Sequence, residues 1–328
     1  MRFLLVNRRL RQGVLTACVL TAVCVPMSVV AHSAVPAPEA AALPPLSAGT
    51  VEGRYAANRL AITEAADMAD ASHHSRRAQA LRAMADPGRR FVYFDARRGQ
   101  AAEVLGDLAA ADRIAVMVPG SDTSLDTYNA RSSAPYSNLS GGARALYEQL
   151  RQQAPSERVA VVTWLGYTTP KAISASVLTT DRADGAAHDL QRFVSSLRQV
   201  NPAAGVALLG HSYGSVVCAR AAYGLDVADI VLYGSPGTGA DSVAGLRTTA
   251  QVWAGRSSGD WISGVPHVRI HLGDAVVGFG ADPVAASFGA RDFAAGRGGH
   301  SDYLMPGSTS LRNLACITLG QYRNVTHD

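Results

Sequence analysis

From residue 91 onward, short apolar runs alternate with amphipathic stretches. Phe91-Val92-Tyr93-Phe94, Ile114–Val118, Val159–Trp164, Val206–Leu209, Ile230–Tyr233 and Gln251–Ala254 read as strands. Ala143–Gln153, Ala186–Val200, Ser215–Tyr223 and Ser310–Leu319 read as helices, the second closed by Asn201-Pro202. The strands are nearly all apolar instead of alternating, the pattern of a parallel sheet covered by helices on both faces. It predicts a doubly wound, mainly parallel α/β domain over residues 91–328. Upstream, Val51 to Ala85 carries apolar residues on one helical stripe (Leu60, Ile62, Ala65, Ala66, Met68, Ala69) and predicts an N-terminal helical segment within 50–90, stopped at Asp86-Pro87-Gly88. His73 and His74 are adjacent on it and so face different directions, which suits a solvated surface better than a metal pair. Residues 35–49 read as a Pro-rich linker.

The first 34 residues follow a different pattern. Arg2, Arg8, Arg9 and Arg11 precede an uncharged stretch, Gly13–Ala31, and small residues follow. That order predicts a secretory signal, cleaved after Ala31 or Ala34. The alternative is an uncleaved membrane anchor, against which Thr16, Thr21, Pro26 and Ser28 weigh. Arg11 stands where a twin-arginine signal prefers an apolar residue, so ordinary secretion is the expectation. No later apolar run is long enough to span a bilayer.

Composition changes this picture in two ways. With 48% hydrophobic and 17% charged residues in 328, the chain is not a disordered polypeptide. The formal charge of +4 suggests nucleic-acid binding until its placement is considered. Four of the 30 basic residues lie in the leader, so the other 26 balance the 26 acidic ones and no basic patch is expected. Cys218 and Cys316 remain after cleavage. Export would favour pairing them, but helices on opposite faces of a sheet lie too far apart for a disulfide, so both are expected as free thiols.

The chemistry begins at Gly210-His211-Ser212-Tyr213-Gly214, a G-x-S-x-G pentapeptide between a strand and a helix, as a nucleophile elbow requires. Gly255-Arg256-Ser257-Ser258-Gly259 also matches, but Asp260–Pro266 after it is a poor helix. Ser212 is therefore the nucleophile. A serine hydroxyl needs a base, and in this arrangement the partners follow in the order serine, acid, histidine. Asp260 is the first acid after Gln251–Ala254 and is the expected acid, ahead of Asp274, Asp282 and Asp292. His300, beyond a possible last strand Asp292–Ala295 and the loop Gly296–Gly299, is the expected base. His188 precedes the serine, His211 belongs to the pentapeptide, and His267 and His271 flank a possible strand, Val268–Leu272, without a third metal ligand. The backbone amides of Tyr213 and Ser121, the latter in Pro119–Thr123, are expected to form an oxyanion hole.

Val118-Pro119-Gly120, Trp164-Leu165-Gly166-Tyr167 with Pro170, the Ser212 pentapeptide, Gly234-Ser235-Pro236-Gly237 and Gly299-His300-Ser301-Asp302-Tyr303-Leu304 occur in this order. Together, over roughly residues 90 to 320, they resemble a bacterial α/β-hydrolase family known as a domain of unknown function. The resemblance implies an α/β-hydrolase fold and a triad of Ser212, Asp260 and His300. The chain has Thr168 where that family often carries an acid, and Asp122 where it often carries a small uncharged residue. The expected activity is that of a secreted serine hydrolase cleaving a small-molecule or lipid ester through an acyl-enzyme, with no cofactor, metal, nucleic acid or obligate protein partner. The alternatives are an acyltransferase with the same triad, or a non-catalytic lipid- or wall-binding module on the hydrolase scaffold. The space between Tyr233 and Gln251 is too short for a cap domain. Loops Tyr167–Thr180 and Val276–Ala290 are the expected pocket walls.

Overall fold

The computed structural model describes residues 35–172, 174, 179–272 and 275–328. The expected leader lies outside these residues, as does Asp274. Among the described residues ten strands form: β1 (Arg90–Asp95), β2 (Gln100–Gly106), β3 (Arg113–Val118), β4 (Val159–Leu165), β5 (Gly205–His211), β6 (Asp229–Tyr233), β7 (Gln251–Gly255), β8 (Ile270–Leu272), β9 (Ala275–Val277) and β10 (Arg291–Asp292). Eight make one sheet in the order β1-β2-β4-β3-β5-β6-β7-β10, while β8 and β9 pair separately as a hairpin. From β4 to β10 the sheet is parallel; β1 and β2 join antiparallel at one edge.

Helices cover both faces: α1 (Val51–Ala71), α2 (Ser75–Met84), α3 (Leu139–Gln153), α4 (Asp181–Val200), α5 (Tyr213–Ala221), a single turn α6 (Val243–Leu246) and α7 (Thr309–Thr318). The pleat divides each strand between two cores. Val116, Leu208 and Ile230 meet α4 and α5 through Leu190, Val194 and Val217. Ala115, Leu209 and Val231 meet α1, α3 and α7 through Ile62, Leu146 and Leu314. Every residue of β4 and of β6 is buried, which is why these strands read as continuous apolar runs. Cys218 belongs to the first core and Cys316 to the second, and both are free. Among the described residues no helix is long and apolar enough to cross a membrane.

The structure refines four expectations. The helical segment from Val51 is broken: His73 adopts a left-handed φ of 60° and separates α1 from α2. At the break the Met68 carbonyl accepts from both the Ser72 amide at 3.1 Å and the Ser72 hydroxyl at 2.8 Å. Leu60 is not on the buried stripe but 70% exposed. The last main-sheet strand is only Arg291–Asp292, and the Val268–Leu272 segment contributes a hairpin strand outside the sheet.

Strand β2, which the apolar pattern does not reveal, carries Glu103 into the interior. Its carboxylate accepts from Arg89 Nε at 2.7 Å and Nη2 at 2.6 Å, and from the Ser140 hydroxyl at 3.2 Å. The two side chains are 7% and 2% exposed. Removing one partner of a buried ion pair strands the other charge, which costs about 3–5 kcal/mol. Glu103→Ala should therefore lower unfolding stability by ~3–5 kcal/mol, read from urea denaturation; a change under ~1 kcal/mol, the range of exposed pairs, would show that water reaches Arg89.

Candidate active site

The loops after β3, β5, β6 and β7 leave the sheet at one edge, where ligands bind in open α/β sheets. Strand β5 ends at His211 and α5 starts at Tyr213, so Ser212 alone makes the turn, with φ 51° and ψ −126°. A non-glycine residue held there stores strain that its surroundings must hold in place. The Ser212 amide donates to the Tyr233 carbonyl at 3.0 Å, and the Ser212 carbonyl accepts from the Ser215 amide at 3.0 Å. Close approach explains two glycines. A Cβ on Gly214 would lie 2.2 Å from the Val118 carbonyl oxygen, and one on Gly120 would lie 2.7 Å from Ser212 Cβ.

The structure brings Ser212, His300 and Asp260 together. His300 Nε2 lies 2.9 Å from Ser212 Oγ, and its Nδ1 lies 2.9 Å from each Asp260 oxygen. With the carboxylate ionised, Nδ1 carries the proton and Nε2 is left to accept from the serine hydroxyl. Asp260 also accepts from the Ile262 amide at 2.9 Å and the Tyr303 hydroxyl at 2.6 Å. Burial by itself would raise this carboxyl; the hydrogen bonds from His300, Tyr303 and Ile262 outweigh it and hold the group below its ordinary value.

Three further side chains shape the site. Tyr303 accepts from the Ser257 amide at 3.1 Å while donating to Asp260, so its hydroxyl is fixed from both sides. Burial pushes the His211 imidazole down to about 3, leaving it neutral, and its Nε2 lies 2.8 Å from the His300 carbonyl oxygen, to which it donates. Trp261, 62% exposed, covers one side of the His300 ring with centroids 4.7 Å apart. Sequence reasoning assigned none of these roles, although Tyr303 stands in the same short motif as His300.

The other sequence candidates lie elsewhere. Ser257 is buried, with its hydroxyl donating to the Ala295 carbonyl at 2.9 Å. Asp282 faces Arg256 at 2.7 Å and His267 at 3.5 Å, and Asp292 faces His327 at 3.3 Å. His188 is exposed on α4. Among the described residues neither the Tyr213 amide nor the Ser121 amide donates a hydrogen bond within the chain, so both are free to serve a ligand. The cavity they border has a volume of about 510 Å³.

A mainly parallel sheet whose central strand turns through a left-handed serine into a helix defines the α/β-hydrolase class. This chain belongs to that family: the model described as Alpha/beta hydrolase matches residues 95–270, more than half of it. It is 31% identical to an uncharacterized protein of Mycobacterium tuberculosis, over 68% of this chain and 37% of that protein. It is 35% identical to an uncharacterized protein of Mycobacterium bovis, over 48% of this chain and 63% of the other. The chain thus spans little more than a third of the length of the first of these relatives. Among solved structures, an α/β serine hydrolase without lid from Xanthomonas campestris is 15% identical, with a TM-score of 0.40 over 68% of this chain and 89% of its own.

Proposed function

We propose that the protein is a serine hydrolase that cleaves carboxylic esters through an acyl-enzyme, with Ser212 as nucleophile, His300 as base and Asp260 as the acid that orients it. The 2.9 Å contact between Ser212 Oγ and His300 Nε2 carries this reading. Ser212 Oγ attacks the ester carbonyl carbon while its proton passes to His300 Nε2. The carbonyl oxygen becomes an oxyanion held by the Tyr213 and Ser121 amides. His300 then gives its proton to the departing alkoxide, leaving the acyl group on Ser212. Water attacks the acyl carbon, its proton goes to His300, and Ser212 Oγ recovers that proton as the acid leaves.

The lining supports a neutral acyl group. Met117, Leu139, Ile262, Val265, Phe279 and Leu304 face the cavity, and among the described residues no lysine or arginine does. An anionic acyl chain would find no counter-charge there and would lose its hydration. Between β6 and β7 there is only the single turn α6, consistent with an open pocket. Phe279 supplies wall from the second expected loop; the first lies partly outside the described residues. Export through the N-terminal leader belongs to the same proposal.

A fluorophosphonate probe and a chain-length panel of chromogenic esters, with and without an alcohol acceptor, test this. Labelling of Ser212 and release of free acid are expected. A folded protein that the probe leaves unlabelled would be a binding module, and acyl passed mainly to alcohol would make it an acyltransferase.

A further inference from the structure

The motif Trp164-Leu165-Gly166-Tyr167 with Pro170 takes no part in the steps above, yet it lies against them. Tyr167 follows β4 and is buried, and its hydroxyl donates to the Pro119 carbonyl at 2.6 Å. Pro119 opens the loop that carries the Ser121 amide. Three more bonds tie the same two segments. The Asp122 amide donates to the Pro170 carbonyl at 3.0 Å, the Ala172 amide to Asp122 Oδ2 at 3.2 Å, and the Thr169 hydroxyl to the Thr123 carbonyl at 2.7 Å.

The Tyr167 ring also touches the other half of the oxyanion hole. It stacks on the Tyr213 ring with centroids 6.4 Å apart and planes 21° apart, and stacks on Trp164 at 6.0 Å and 20°. Tyr213 is the residue whose amide faces the site from the elbow. Its hydroxyl donates to the Thr179 carbonyl at 2.8 Å and accepts from the Ala183 amide at 3.2 Å, which anchors the ring to the start of α4. Gly214 of the elbow packs close against the same carbonyl: a Cβ there would lie 2.6 Å from the Pro119 carbonyl oxygen.

An oxyanion hole stabilises charge only if both amides point at one position, and an error of about 1 Å is worth ~100-fold in rate. The Tyr213 amide is fixed by the first turn of α5. The Ser121 amide has no such support: it precedes Asp122, which is held at a left-handed φ of 59° outside any helix or strand. We propose that Tyr167 is a positioning residue, set between the Tyr213 ring and the Pro119 carbonyl, that fixes the separation of the Tyr213 and Ser121 amides and thereby the strength of the oxyanion hole. The proposal rests on the serine-hydrolase reading above.

Tyr167→Phe keeps the ring and its stacking and removes only the oxygen that reaches Pro119. The test measures kcat and KM on a chromogenic ester, together with inhibition by an alkylboronic acid, whose tetrahedral adduct on Ser212 places an oxygen in the hole. In Tyr167→Phe, kcat should fall about 10- to 100-fold with KM within about two-fold, and the boronate Ki should rise by the same factor as kcat/KM falls. A variant with unchanged kcat, or one whose kcat falls while boronate affinity is kept, overturns the assignment. If Tyr167→Phe does not fold, Thr169→Val loosens the same loop without touching the stack. It should give a smaller, parallel loss in kcat and boronate affinity, and no change in either overturns the proposal. Wild-type protein and Ser212→Ala are assayed alongside. A folded wild type that neither turns over ester nor takes the fluorophosphonate defeats the serine-hydrolase reading and this proposal with it. An active wild type with an equally active Tyr167→Phe defeats only the role of Tyr167.

Discussion

Ser212→Ala should reduce ester turnover by about 10⁵–10⁶-fold, with the protein still folded. In the proposed mechanism the Ser212 hydroxyl oxygen is the atom that bonds to the substrate, and without it His300 Nε2 loses its 2.9 Å partner and the serine proton it would accept. The residual rate would come from the two amides and from binding alone. Stability should change little. Alanine at φ 51° meets the same steric conditions as serine, and the backbone bonds to Tyr233 and Ser215 that hold the turn do not involve the side chain. Ser257→Ala provides the contrast. Its hydroxyl donates to a buried carbonyl, so the loss should cost about 1 kcal/mol in stability while kcat stays within a few-fold. Steady-state assays and thermal melts on both variants decide between the two G-x-S-x-G matches. An active Ser212→Ala with an inactive, folded Ser257→Ala would move the nucleophile to the other pentapeptide.

The parts of the fold legible in the sequence are those where one force dominates. Strands β3 to β7 lie between helices on both faces, so burial alone selects their residues and Ile114–Val118 or Val159–Trp164 stand out as apolar runs. The elbow was separable from its decoy because only Ser212 lies between a buried strand and a helix. Asp260 and His300 could be sought by position, since loops at the same edge of a parallel sheet converge whatever their sequence. Strand β2 was hidden because Glu103 interrupts it, and that charge is acceptable only beside Arg89, a pairing that sequence spacing does not disclose. The break at His73 was hidden for a related reason. No glycine or proline marks it, and the turn is held by local hydrogen bonds to Met68 and Asp70. The Tyr303 and Tyr167 hydroxyls are aimed at particular atoms, and no periodicity reports where a hydroxyl points.

Asp260→Asn should lower kcat about 10⁴-fold with little change in KM. The carboxylate accepts three donors: His300 Nδ1, the Ile262 amide and the Tyr303 hydroxyl. An asparagine amide has one acceptor oxygen for them, and its NH₂ must face one of the others. The imidazole can then relieve the clash only by moving its proton to Nε2, where it donates to Ser212 instead of accepting from it, and the base is lost. Because the Asp260 carboxyl is held below its ordinary value, it is already ionised at and above the usual aspartate range near ~4. Its contribution is therefore complete above that range and is lost only as pH falls through the depressed folded-state value. The urea midpoints of the two proteins should consequently converge as pH drops below about 4. Midpoints that already converge between pH 5 and 7 would mean that Asp260 titrates in that interval, which a carboxylate holding three donors should not do. A kcat loss under about tenfold would show that His300 keeps its tautomer without Asp260, and the acid would have to be sought among the remaining carboxylates of the site edge.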